Sequence, residues 1–175
     1  MPSPVAHALA GIAAGWLIAP PRLGSHARVA VRAAAFAAAA MAPDLDLLVG
    51  THRGPAHGLG AAVLVGAVVW FVRSSGVARN DAARVACAAA LAYASHTLLD
   101  WLGSDSSPPI GVMALWPVTR DYYESNLHVF MAISRRYWLP EFWTYNLRAL
   151  ARELLILGPL FALVMALRWR RRAGS

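Results

Sequence analysis

AARVACAAALAYASHTLLDWL, residues 82–102, is the stretch whose reading decides the fold. After Arg84 it runs almost wholly apolar to Ala94, then Ser95, His96, Thr97 and Asp100 interrupt it in its last two turns. Its length suits the roughly 20 residues that an α-helix needs to cross a bilayer core. Ionisable groups inside such a span are expensive and usually functional. His96 and Asp100 stand four residues apart, so they share one helix face with a rise of about 6 Å between them. Side chains placed this way can hold one cation, or Asp100 can bridge to a second.

Four further apolar blocks flank this one, at about Val5 to Ala19, Val29 to Val49, Gly58 to Val72 and Leu150 to Leu167. The whole chain of 175 residues is 58% hydrophobic and 14% charged, with mean hydropathy +0.48. A soluble domain carries about a quarter charged residues, so this chain has too little polar surface for water. It reads as one domain, 1–175, all-α: an integral membrane helical bundle of about five spanning helices. The first and third blocks are short for full spans. Pro4 suits a helix start, and Pro20-Pro21 a helix end. Met1-Pro2-Ser3-Pro4 lacks the basic start of a secretion signal, so the first span is expected to be retained. The single Cys87 excludes an intramolecular disulfide and a multi-cysteine zinc site.

The net charge of +7 comes entirely from arginine as the basic residue, since lysine is absent. The arginines sit at the ends of the apolar blocks, which fits membrane orientation and speaks against nucleic acid as a partner. Arg22, Arg28 and Arg32, then Arg73, Arg79 and Arg84, then Arg168 and Arg170 to Arg172 fall on one side. The positive-inside rule makes that side cytoplasmic, with 168–175 a basic cytoplasmic tail and the N-terminus outside. Arg53, Arg120, Arg135, Arg136, Arg148 and Arg152 on the other side weaken the contrast. Nine aromatic residues lie between Trp116 and Tyr145. They favour the headgroup layer. Residues 103–149 are therefore expected to form an interfacial roof, with short helices over about Asp121 to Tyr137 and Glu141 to Arg148.

On this topology the starts of spans one and three and the ends of spans two and four meet at one membrane face. His7, Asp44, Asp46, His52, His57, His96 and Asp100 all belong to those ends or the loop between them. Imidazoles with carboxylates and no thiolate suit zinc, and also manganese or iron. Asp44 and Asp46 cannot share a helical face, so one is expected to bind metal and the other to orient a histidine or cap a turn. His26 falls on the opposite side as a loop residue. Asp121, Glu124 and His128 read as a solvated helix face that could add a ligand or a general base.

His7, Pro43-Asp44-Leu45-Asp46, His52-Arg53-Gly54-Pro55-Ala56-His57, Ser95-His96-Thr97-Leu98-Leu99-Asp100 and Gly111-Val112-Met113-Ala114-Leu115-Trp116-Pro117 occur in this order over the first two thirds of the chain. Together they resemble the YdjM-like family of bacterial inner-membrane metal-dependent hydrolases. That family usually reads Thr-His-Ser where this chain has Ala56-His57-Gly58, so the imidazole is kept and the flanking hydroxyls are absent. The layout is similar, more distantly, to the zinc-dependent phospholipase C and single-strand nuclease superfamily. That similarity implies His7, Asp44, His57, His96 and Asp100 as metal ligands, with Asp100 a candidate bridge. The superfamily's later histidine-and-glutamate helix has no clear counterpart here, so one or two ions are expected.

The resemblance implies a membrane-bound hydrolase in the inner membrane, cleaving a phosphoester in a lipid or lipid-linked substrate, with amide or carboxyl-ester hydrolysis as alternatives; the arginine pattern puts its site on the outer face. Membrane lipids and an amphiphilic or phosphate-containing substrate are the expected partners. Asp46 or His52 is expected to orient ligands or move protons, Arg53 to pair with phosphate oxygens, and Gly54 to permit a tight turn. A metal-binding membrane protein without hydrolase activity, in transport or in a structural or partner-binding role, is the rival reading. A transporter would spread its ionisable residues through the membrane's depth, whereas these gather at one face.

Overall fold

A computed structural model describes residues 1–173 apart from 21–25, 50–51 and 106. Pro21 and Arg22, invoked above, lie outside the described residues, as does the end of the basic tail. Among the described residues the chain forms five α-helices and no strand: α1 Pro4–Ile18, α2 His26–Met41, α3 Leu59–Ser74, α4 Arg79–Leu102 and α5 Phe142–Ala173. Two are long and apolar enough to cross a membrane, Arg79–Leu102 and Phe142–Leu167. α1 and α3 are apolar but shorter.

The helix starts follow ordinary rules. Ser3 caps α1, its hydroxyl accepting from Ala6 N at 3.2 Å, and Pro4 stands where a missing N–H costs nothing. Small residues then set how closely the helices pack. A Cβ built on Gly11 would stand 2.3 Å from Ala40 Cβ, and one on Gly15 would stand 2.4 Å from the Phe36 ring. These two glycines, one turn apart, let α2 lie directly on α1, the small-residue crossing that membrane helices use. Gly66 of α3 faces Ala90 of α4 in the same way. α4 is the centre of the bundle, packed against α1, α2 and α3, with Ala82, Ala86, Ala88, Ala89 and Ala92 buried.

Large apolar side chains crowd the outside. Val63, Val68, Phe71 and Val72 on α3 and Leu155, Leu160 and Leu163 on α5 are all more than half exposed. A continuous apolar exterior of this size marks a surface made for something other than water. α5 carries one acid in this setting: Glu153, 1% exposed, accepts from Ser3 N at 2.6 Å and from the Ser3 hydroxyl. The start of α1 is thereby fastened to α5.

Two expectations about secondary structure need correction. The second apolar block does not run as one helix to Val49. α2 ends at Met41, and Ala42–Val49 winds as a 3-10 helix. Pro43 disfavours helical backbone at the residue before it and lacks the N–H that an α-helix would use. The roof also lacks the helix expected over Asp121 to Tyr137. Asn126 and His128 have φ of 56° and 46°, the left-handed region, and the strip pairs instead with the segment after α4. Val112 and Tyr123 exchange backbone bonds at 3.0 and 2.9 Å, and Val129 N donates to Leu102 O at 2.8 Å. The second expected roof helix, Glu141 to Arg148, is simply the start of α5.

Candidate metal centre

The 3-10 stretch brings Asp44 and Asp46 to the ends of α1 and α4, and a single 3-10 turn, Pro55–His57, brings His57 between them. Between the two, Arg53 turns the chain with φ of 67°. The expected tight turn at Gly54 therefore falls one residue earlier. That left-handed backbone is held from both sides: Arg53 N donates to Asp46 Oδ2 at 3.0 Å, and Arg53 O accepts from Met113 N at 3.1 Å. The Gly111–Pro117 motif goes on to close the start of α3. Leu59 N and Gly60 N donate to Ala114 O and Trp116 O at 2.9 and 2.8 Å. A Cβ on Gly58 would lie 2.8 Å from Trp116 Cβ, which explains why a serine has no room beside His57 in this chain.

His7, His57 and His96 are fully buried at the centre of this arrangement, and Asp100 is 6% exposed. His96 Nε2 lies 3.2 Å from Asp100 Oδ2, and His57 Nε2 lies 3.6 Å from the same oxygen. Asp44 Oδ1 stands 3.7 Å from both of those nitrogens. His7 Nε2 approaches the other oxygen of Asp100, Oδ1, at 3.4 Å, and its ring stacks on that of His96 with centroids 3.9 Å apart. The five residues that the resemblance implied as ligands thus come together. Three trios, His7 with His96 and Asp100, Asp44 with His57 and His96, and Asp46 with His52 and His57, each have donor atoms within 4.8 Å of one another.

One outer nitrogen is held by a hydrogen bond, and a second faces a carboxylate without one. His96 Nδ1 bonds the Ala40 carbonyl at 2.7 Å. His57 Nδ1 faces Asp46 Oδ2 at 3.1 Å, while Asp46 Oδ1 bonds His52 Nδ1 at 3.0 Å. These contacts turn Nε2 of both His57 and His96 inward, which is how ligating histidines are oriented in metal proteins. The residues alone left open which aspartate would face the centre, and the resemblance implied Asp44; the geometry puts Asp44 there and Asp46 behind His57. Burial works against a charged His57 ring, but Asp44 and Asp46 outweigh it and hold its pKa up to about 9. Burial likewise works against charge on Asp44 and Asp46, yet the facing imidazoles hold both carboxyls below the usual range.

One property of the inward atoms stands out. Asp44 Oδ1, both Asp100 oxygens, His96 Nε2 and both nitrogens of His57 and of His7 are buried without a hydrogen-bond partner. Buried polar atoms are nearly always satisfied, so a concentration of orphans needs a cause. The donor set fits a divalent cation. Donors about 2.0–2.1 Å from one tetrahedral zinc stand about 3.4 Å from each other. The four contacts of His57 and His96 with Asp44 and Asp100 span 3.2 to 3.7 Å.

The remaining predicted residues fall elsewhere. The guanidinium of Arg53 is already engaged: it meets Asp105 Oδ1 at 2.5 Å and the carbonyls of Ser107 and Pro109 at 2.9 and 2.6 Å. Its expected fork for phosphate is therefore mostly occupied by the protein. Glu124 and His128 pair at 3.8 Å in the roof, and Asp121 bonds Thr119, all away from the centre. His26 begins α2, exposed, away from the cluster. Sequence reasoning missed Asp105, which holds Arg53 and also accepts from Gly111 N at 2.9 Å. It also missed Thr97 and Tyr93, whose hydroxyls donate to His57 O and Ala56 O at 2.7 and 2.8 Å. Thr97 carried a visible signal, a hydroxyl between His96 and Asp100 in an apolar span. Asp105 carried none beyond its type.

An all-helical bundle with a membrane-type exterior and a buried imidazole–carboxylate centre is the class that fold and site define. Within it the chain belongs to the YdjM inner membrane protein family, whose description it matches over residues 1–173. Neither the curated proteins nor the solved structures give a match.

Proposed function

We propose that this protein is a multi-pass metal-dependent hydrolase of the inner membrane, acting on a phosphoester in an amphiphilic substrate at the outer face. The observation that carries the reading is the set of orphaned inward atoms on His7, Asp44, His57, His96 and Asp100. In the proposed topology all five helices span, the short α1 and α3 lying where the bundle is thinner than a full bilayer core. His57, His96, Asp44 and Asp100 would hold one divalent ion, zinc first and manganese or iron as alternatives, and His7 with Asp100 Oδ1 would provide for a second. Such an ion acts as a Lewis acid and can bring the pKa of a water to about 7. The chain's own part is to fix the imidazoles from behind. Asp46 holds His57, the Ala40 carbonyl holds His96, and His52 stands beyond Asp46 where it can relay a proton through that carboxylate.

Asp44 is the open edge. Its side chain is 28% exposed, while those of His57, His96 and Asp100 are at 1% or below, so a substrate would reach the centre past it. The same enclosure favours a second reading, a metal-binding membrane protein with a structural centre and no hydrolysis. Structural zinc sites are closed by four protein ligands, whereas catalytic ones keep a position free. Metal analysis of the purified protein, followed by assays on phospholipids and soluble phosphodiesters with wild type and Asp100→Asn, separates the two. Hydrolysis that needs the metal and vanishes in the variant supports the hydrolase. Stoichiometric metal with no turnover of any phosphoester supports the structural centre, and absence of metal defeats both.

A further inference from the structure

A cavity of about 460 Å³ lies beside the centre, between the roof and the first turn of α5. His52 and Arg53 form its floor, Phe142 and Tyr145 an apolar wall, and Arg135 and Arg136 its rim. Among the described residues neither rim guanidinium has a carboxylate within 4.0 Å. Glu141 also lines the space, and Asp105 is tied to Arg53. Arg53 is 6% exposed and its Nε has no protein partner, although its other nitrogens are engaged. The rim is built rather than loose. The Asn146 side chain, from α5, accepts from Ser134 N at 2.7 Å and donates to Ser134 O at 3.0 Å, and the Ser134 hydroxyl accepts from Arg136 N at 3.2 Å.

We infer that this cavity seats the phosphate of an anionic amphiphile, with Arg135 and Arg136 on the phosphate and Phe142 and Tyr145 on the first carbons of the chain. Guanidinium forks match phosphate oxygens. An apolar wall leading onto the uncovered face of α5 suits an acyl chain better than a soluble phosphate. Tyr137, Trp138 and Trp143, each next in sequence to a lining residue, are exposed, and amphipathic aromatics favour the headgroup layer. The inference rests on the proposed function for that membrane depth, and not for hydrolysis. The His52–Asp46 pair stands between the cavity and His57, so the seated phosphate and the cation occupy separate places.

Calorimetry on the full-length protein in a neutral detergent tests this with three probes: dihexanoyl phosphatidylglycerol, dihexanoyl phosphatidylcholine and glycerol phosphate. The anionic lipid should bind best, and replacing both rim residues, Arg135→Gln with Arg136→Gln, should weaken it by about tenfold or more. Arg135→Lys with Arg136→Lys should recover part of the loss. Equal binding of the two lipids, or no effect of the glutamine pair, overturns the inference. Glycerol phosphate binding as tightly as the anionic lipid overturns its amphiphile half. Asp100→Asn should leave lipid binding intact while removing any hydrolysis, so a failure of the hydrolase reading is told apart from a failure of this one.

Discussion

α4 and α5 are the two helices long enough to cross a membrane, and each buries acid, but they treat it in opposite ways. On α5, Glu153 is fully satisfied: one oxygen takes the Ser3 N–H and the other the Ser3 hydroxyl. On α4, Asp100 has two oxygens surrounded by imidazole nitrogens and no hydrogen bond to either. Burial alone therefore does not mark a functional group. A closed hydrogen-bond account marks a fastening, and the cluster of open ones is what the metal-centre proposal rests on. The packing differs to match. α4 is lined by small residues buried against three neighbours, while α5 turns Leu155, Leu160 and Leu163 outward.

Substitutions can break that contrast. Asp100→Asn should weaken metal binding most, by about 100-fold or more, since it removes charge from a carboxylate facing three imidazoles; retention of full metal content by elemental analysis would show that the orphaned oxygens are not ligands. Asp46→Asn should reduce affinity by about 10- to 100-fold through His57 alone, as outer partners of ligating histidines do. A competition titration would detect it. Glu153→Gln should behave oppositely, costing about 1–3 kcal/mol of stability in thermal unfolding with metal content unchanged. If it instead empties the metal site, the distinction between fastening and site collapses.

Acidity gives a smaller lever. The metal-free His57 is held at about 9, above its ordinary 6.5, so below pH 9 a cation must displace its proton. Apparent metal affinity should then rise with pH by up to about tenfold per unit and level off near 9. A flat profile between pH 6 and 8 would show that binding displaces no proton from His57 in that range. Least of all should Leu155→Ala matter, within about 0.5 kcal/mol, because that side chain is 77% exposed.

Much of the site was legible because helices expected to alternate in direction bring alternate helix ends together, and His7, Asp44, His57, His96 and Asp100 all fell on such ends. The resemblance supplied the ligand set, and the geometry brings those five residues together. What escaped was backbone detail. Leu45, Leu47 and Leu48 extend the apolar run beyond Met41, so hydropathy hides the change to 3-10 winding that Pro43 starts. The spacing of Asp121, Glu124 and His128 imitates a helix, yet left-handed residues at Asn126 and His128 turn the strip into loop. Arg53 was assigned to phosphate by its residue type, and nothing local announced that Asp105 would hold it. The Ala40 carbonyl behind His96 has no signature at all, since every residue has one.

The bond between Ser3 and Glu153 joins positions 150 residues apart. Synthesis from the N-terminus makes Ser3 long before Glu153. The hydrogen bonds that fasten the start of α1 to α5 therefore cannot form until α5 has been made. The order of synthesis thus leaves that fastening to the last of the described helices.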